Sequence, residues 1–200
     1  MAGNQTKRDA ILEIASAAFL EHGYRGASVN EMSRQSGISK ETIYRYFNNK
    51  KELFAAVLDQ ELDHYQRSIE ELDSFDQEMG LRDVLTLVGG MMLKLLLRKR
   101  TMALRLLIFN AGMRQPEIGQ LYNERGPRPA LAALQRYFGR LKDGGLDSPY
   151  DARELADDFM ALLLHKAILQ YELNLADKLA YGDIDAYVGR VVDRFLSSHF

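Results

Sequence analysis

Residues 18–58 read AFLEHGYRGASVNEMSRQSGISKETIYRYFNNKKELFAAVL, and the punctuation of this stretch decides the fold. Ser28 precedes a helical pattern with Glu31 three residues on and Met32 facing inward, a start signal; Ser36-Gly37 stops that helix, because glycine supplies the left-handed conformation a helix terminus favours. Ser39 opens another, its hydroxyl placed to accept from the backbone of the turn beginning at Lys40. Ile43 and Phe47, four apart, form the buried side. Two short capped helices separated by Gln35-Ser36-Gly37-Ile38 make a helix-turn-helix pattern, in which the small residue and the glycine allow a sharp turn and Ile38 plugs the angle.

Upstream, Ile11, Leu12, Ala15, Ala18 and Phe19 mark one helical face, opened by a Thr6 and Asp9 capping signal and ended by His22-Gly23. Downstream, Asn48-Asn49 interrupts, and 50–72 reads as a longer helix with Leu53, Val57, Leu58, Leu62 and Tyr65 on its apolar stripe. After a polar connector at 73–79, helical patterns run over about 81–97, 101–110, 116–124, 129–141, 149–176 and 183–196, with a break at Lys142-Asp143-Gly144-Gly145. No run alternates as a strand does. The expected fold is all-α: an N-terminal three-helix helix-turn-helix domain over 1–52 and a larger helical domain over 53–200.

Composition narrows the function classes. The 200 residues are 46% hydrophobic and 27% charged, which suits a soluble globular protein, and the net charge of −2 makes no whole-molecule case for nucleic acid. Residues 1–52, however, carry eight basic against six acidic groups, with the basic ones clustered from Lys40 to Lys51. The absence of cysteine excludes a disulfide scaffold, thiolate zinc and cysteine nucleophiles, and fits a cytoplasmic location. The first residues do not read as a signal peptide, and the most apolar window, 85–97, is shorter than the roughly 20 residues needed to span a bilayer and contains Lys94. Neither HExxH, GxxxxGK[ST], GxSxG nor a GxGxxG after a strand occurs, and Glu61-x-x-His64 has no second copy to complete a di-iron set. No enzyme activity, cofactor or metal is expected.

With Ile43 inward, Glu41 and Arg45 point away from the core, flanked by Thr42 and Tyr44. Such a short polar and aromatic face suits the major groove, where side chains reach base edges while hydroxyls and ammonium groups hold phosphates. Two readings of Glu41 stay open: a helix-surface ion pair with Arg45 four residues on, or a contact to a cytosine amine beside Arg45 on guanine. Tyr44 and Tyr46 suit either phosphate contact or packing at the core edge.

The stretch GISKETIYRYFNNKKEL, within residues 18–58, closely resembles the DNA-binding domain of TetR-family transcriptional regulators. The resemblance implies DNA contacts from Ser28, Ser39, Lys40, Thr42, Tyr44, Arg45, Tyr46 and Lys50: Ser28 and Tyr44 on phosphate, Lys40, Thr42 and Arg45 on the groove side, Tyr46 and Lys50 clamping the backbone. Residues 100–126, RTMALRLLIFNAGMRQPEIGQLYNERG, look like the effector domain of the AefR-like branch, although Asn110 stands where an acidic residue is expected.

The same resemblance implies a homodimer of all-helical chains, with a fourth helix linking the DNA head to an effector-binding and dimerisation domain. Met92, Leu95, Phe109, Met113 and His165 are the expected ligand-pocket residues, with an apolar or amphipathic small molecule as effector; a stripe of this kind also serves as plain core. Phe159, Leu163, Tyr187, Val191 and Phe195 are the expected dimer contacts, since the last two helices carry more apolar surface than surface helices need. The expected function is a sequence-specific, ligand-responsive repressor on a near-palindromic operator. The alternative is a DNA-binding adaptor or architectural protein controlled by a protein partner.

Overall fold

The computed structural model describes residues 2–72, 79–175 and 178–200, with side chains for all of these except 2–5 and 63–72. The connector expected at 73–79 therefore lies, but for Met79, outside the described residues, as do the side chains of His64 and Tyr65. The described elements are α1 (Ala2–Gly26), α2 (Val29–Ser36), α3 (Lys40–Tyr46), α4 (Lys50–Leu72), α5 (Leu81–Leu96), α6 (Lys99–Gly112), α7 (Pro116–Arg125), α8 (Pro127–Asp143), α9 (Ala152–Glu172) and α10 (Ile184–His199), with one 3-10 turn at Tyr181–Asp183. The chain is all-α, as its patterning requires.

The helix ends explain the lengths. α1 starts at Ala2, so Thr6 sits inside the helix rather than capping it. Gly23, at φ 70° and ψ 171°, breaks α1 where expected, and 24–26 form a further turn closed by the Ala27 amide on the Gly23 carbonyl at 3.0 Å. Gly37, at φ 69°, ends α2 with its amide on Ser33 O at 3.1 Å, and the Ser36 hydroxyl accepts from the Ile38 amide at 3.1 Å. Ahead of α4, Asn49 Oδ1 accepts from the Glu52 amide at 2.9 Å while the Glu52 carboxylate accepts from Asn48 Nδ2 at 2.8 Å, a reciprocal cap. α9 opens with a full capping box, in which Asp151 accepts from the Glu154 amide and the Glu154 carboxylate accepts from the Asp151 amide, both at 2.8 Å.

The chain packs as two compact units: Met1–Asp63 with Ala103–Arg125, and His64–Met102 with Gly126–Phe200. α4 and α6 each run from one unit into the other. The first unit thus extends past residue 52 and takes in most of α6 and all of α7, because one hydrophobic cluster joins Ile11, Leu12 and Phe19 of α1, Ile43 of α3, Leu53, Phe54 and Leu58 of α4, Leu104 and Ile108 of α6, and Ile118 and Leu121 of α7. At its centre Phe54 meets Phe19 edge-on at 4.9 Å and Tyr24 at 5.1 Å between ring centroids. Each fully buried side chain of this size contributes about 1.5–3 kcal/mol relative to exposure. Beside α1, α2 and α3, helices α4, α6 and α7 supply the rest of the wall around these rings.

The second unit packs α5 against α10 and α8 against α9, around Leu85, Leu93, Leu134, Phe138, Leu155, Phe159, Leu163, Val188 and Phe195. Gly89 permits the close approach of α5, since a Cβ there would stand 2.9 Å from Val188 Cγ1 and 3.2 Å from Leu163 Cδ1. Lys94 and Arg82 of α5 pair with Asp185 and Asp193 of α10 at 2.7 and 2.9 Å. Among the described residues no helix is long and apolar enough to cross a membrane.

Candidate nucleic-acid interface

α3 is the candidate interface because one side of it is fixed and the other is open. Ile43 and Phe47 are buried in the first unit's core, whereas Lys40, Glu41, Tyr44 and Arg45 are exposed and Thr42 and Tyr46 half-buried. The N-terminus of α3 is set by Ser39, whose Oγ accepts from the Thr42 amide at 3.2 Å and lies 3.0 Å from Thr42 Oγ1. The start of the helix is thereby rigid where a recognition helix meets base edges.

Two exposed cations of α3 lie over aromatic rings of the same helix. Lys40 Nζ is 5.9 Å from the Tyr44 ring centroid and the Arg45 guanidinium 5.8 Å from that of Tyr46. Glu41 turns the other way. Its own backbone amide and then the Ser39 hydroxyl hold its carboxyl below the usual carboxylate range, which places the charge at the helix start. Among the described residues it forms no ion pair with Arg45, so the surface-pair reading falls and the guanidinium stays available.

Ser28 occupies the cap position of α2 without making a side-chain cap bond, and it is exposed. The expected partner of that cap, Glu31, instead holds Arg34 at 2.6 Å and accepts from Gln35 Nε2 at 3.1 Å. The Arg34 hydrogen bond is the main reason the Glu31 carboxyl lies below its ordinary range. The Ser28 hydroxyl is left to face outward.

Lys50, at the start of α4, donates to the Arg25 carbonyl at 3.2 Å and lies 5.0 Å from the Tyr24 ring centroid. Partial burial moves the Lys50 ammonium below the ordinary lysine range. Burial, with the Glu117 charge adding to it, moves the Tyr24 phenol up. No sequence pattern links residues 25 and 50; the end of α1 comes to the start of α4 through the shared packing of Phe19, Tyr24 and Phe54.

A short helix anchored by Ile43, capped by Ser39, preceded by a glycine turn and presenting Lys40, Thr42, Tyr44 and Arg45 defines a helix-turn-helix DNA-binding head on an all-helical regulator. The comparisons agree at the level of the family. Residues 11–57 match the model of the bacterial regulatory proteins of the tetR family, and residues 83–198 match the C-terminal domain of AefR-like transcriptional repressors. The chain belongs to the TetR family of transcriptional regulators. It is 30% identical over 207 residues to the DNA-binding transcriptional repressor TetR of Mycobacteroides abscessus, covering 98% of this chain and 95% of that one. It is 27% identical over 175 residues to the transcriptional repressor ComR of Escherichia coli, covering 86% and 83%. The solved structure of the flavonoid-responsive regulator FrrA shares the fold, with a TM-score of 0.77 at 24% identity over 98% of this chain and 97% of that one.

The other expected site residues are distributed over both units. Met92 and Leu95 are buried in the second unit and His165 is exposed there, while Phe109 and Met113 are exposed in the first, Met113 at 89%. Apolar spacing marks a helix face without showing which neighbour covers it.

Of the expected dimer contacts, Phe159, Leu163 and Phe195 are completely buried within the single chain, with Phe159 and Phe195 edge-to-face at 5.4 Å, and this removes them from any intermolecular face. Tyr187 and Val191 remain half-buried. With Ala161, Leu162 and His165 they line an open groove of about 330 Å³ between α9 and α10, rimmed by Lys166, Arg190 and Arg194.

Proposed function

We propose that this chain is a cytoplasmic, ligand-responsive repressor that binds a near-palindromic operator as a homodimer. In this reading residues 1–52 form the DNA-reading module and 53–200 the effector-binding and dimerisation module. Arg45 reads a base edge with Lys40 and Thr42 beside it, Ser28 and Tyr44 hold phosphates, Tyr46 and Lys50 clamp the backbone, and Ser39 sets the helix that carries the readers. The observation that carries this reading is the division of α3 into a buried Ile43 side and an outward Lys40, Tyr44 and Arg45 side.

Members of the family act as dimers on operator DNA and respond to small-molecule effectors. Here the α9–α10 groove, with Tyr187 and Val191, supplies the dimer face. An apolar or amphipathic effector then works only by binding one setting of the two heads more tightly than the operator-competent one.

Selection of bound duplexes from a random pool by the full chain tests the proposal. Two half-sites related by dyad symmetry, centred about one helical turn or a multiple of 34–36 Å apart, are the expected outcome. A single asymmetric site, or no enriched site, contradicts it.

A further inference from the structure

Within the first unit, a groove of about 440 Å³ runs between the end of α1 and α6. Its volume falls in the range of small-molecule sites. Leu20, Ala103, Leu106, Leu107 and Ala111 line its apolar part, and Arg25 and Arg114 bring guanidiniums to it; His22, 3.8 Å from the Glu21 carboxylate, also lines it, and no acidic residue does. Among the described residues neither the Arg25 nor the Arg114 guanidinium has a side-chain partner, whereas Arg34, Arg82 and Arg125 are each paired with a carboxylate. Two unpaired guanidiniums beside apolar side chains are the chemistry that holds an organic anion with a hydrocarbon body.

The groove also touches the DNA-facing machinery. Tyr24 and Arg25 belong to the turn that follows the Gly23 break, and they form its wall. On the other side of the same turn the Arg25 carbonyl accepts from Lys50, and the Tyr24 ring lies under the Lys50 ammonium. An occupant that draws the Arg25 guanidinium toward the groove acts on the carbonyl and ring that position Lys50.

We infer that the groove between α1 and α6 is a binding site for a small amphipathic carboxylate, and that its occupancy lowers operator affinity through Lys50. The operator half of this inference rests on the DNA-binding reading above, whereas the binding half does not.

Titration calorimetry of the full chain without DNA, using octanoate as the probe and octylammonium as the charge-reversed control, tests the site. Octanoate binding in the millimolar range or tighter, with no octylammonium binding, is expected. Arg114→Gln should weaken octanoate about tenfold or more, and Ala103→Phe, at an exposed position that fills the groove and keeps both arginines, should do the same. Octanoate binding that survives both substitutions, or no binding, overturns the site. With DNA present, octanoate should weaken operator binding in the native chain and in neither Lys50→Ala nor Arg114→Gln. Calorimetric binding without any change in operator affinity overturns the coupling and leaves the DNA-binding reading intact.

Discussion

Lys50 and Arg25, 25 positions apart, meet through a 3.2 Å hydrogen bond from the ammonium to the backbone carbonyl, so the first residue of α4 is fastened to the turn that ends α1. In the proposed reading this held cation clamps the DNA backbone. In Lys50→Ala, binding should weaken on every DNA sequence alike, and the slope of log affinity against log salt should flatten by about 1. Fluorescence anisotropy with specific and scrambled duplexes across a salt series measures both; loss of preference at one base pair would assign Lys50 to reading instead.

Arg45 carries the opposite expectation. Its exposed guanidinium is free of Glu41, and Arg45→Ala should relax preference at a single base pair by about 1–3 kcal/mol. Competition between duplexes that differ at one position measures this. Identical behaviour of the Arg45 and Lys50 variants would dissolve the division into reader and clamp.

Ser39→Ala removes the acceptor for the Thr42 amide, at a cost of about 0.5–2 kcal/mol of stability. Urea denaturation followed by circular dichroism reads the loss. An unchanged midpoint would mean that the cap does not set α3.

Phe54→Ala should destabilise the first unit by about 3–5 kcal/mol, because it empties the place where Phe19 and Tyr24 meet. The same ring contacts bring the end of α1 to Lys50, so operator affinity should fall even where the variant remains folded. Thermal melts and anisotropy on the same sample separate the two effects.

Val191→Arg places a fourth full cation beside Lys166, Arg190 and Arg194 in the α9–α10 groove. Sedimentation equilibrium should show dissociation to monomer with helical content preserved. A dimer that persists at the native concentration dependence would move the interface elsewhere.

The DNA head was legible because its signals are local. Gly23, Gly37, Ser39 and Asn48-Asn49 each act within a few residues of themselves, and each is found at the break or cap that its chemistry requires. The Thr6 cap was misread because a capping pattern says where a helix is able to begin and not where it must. The extent of the first unit was not legible, since Leu104, Ile108, Ile118 and Leu121 join Phe54 from far along the chain. Phe159, Leu163 and Phe195 show the same limit: their apolarity is plain in the sequence, but whether they face α5, α8 or a second copy depends on helix packing. The Arg25 carbonyl leaves no trace in the sequence at all, because any residue supplies one.

The affinity of the full chain for a labelled duplex from upstream of its own gene, against a scrambled duplex of equal length over a salt series, measures sequence-specific DNA binding most directly. A preference of about 10³ or more, with affinity falling steeply as salt rises, is the predicted result. Equal and weak binding to the two duplexes would contradict it.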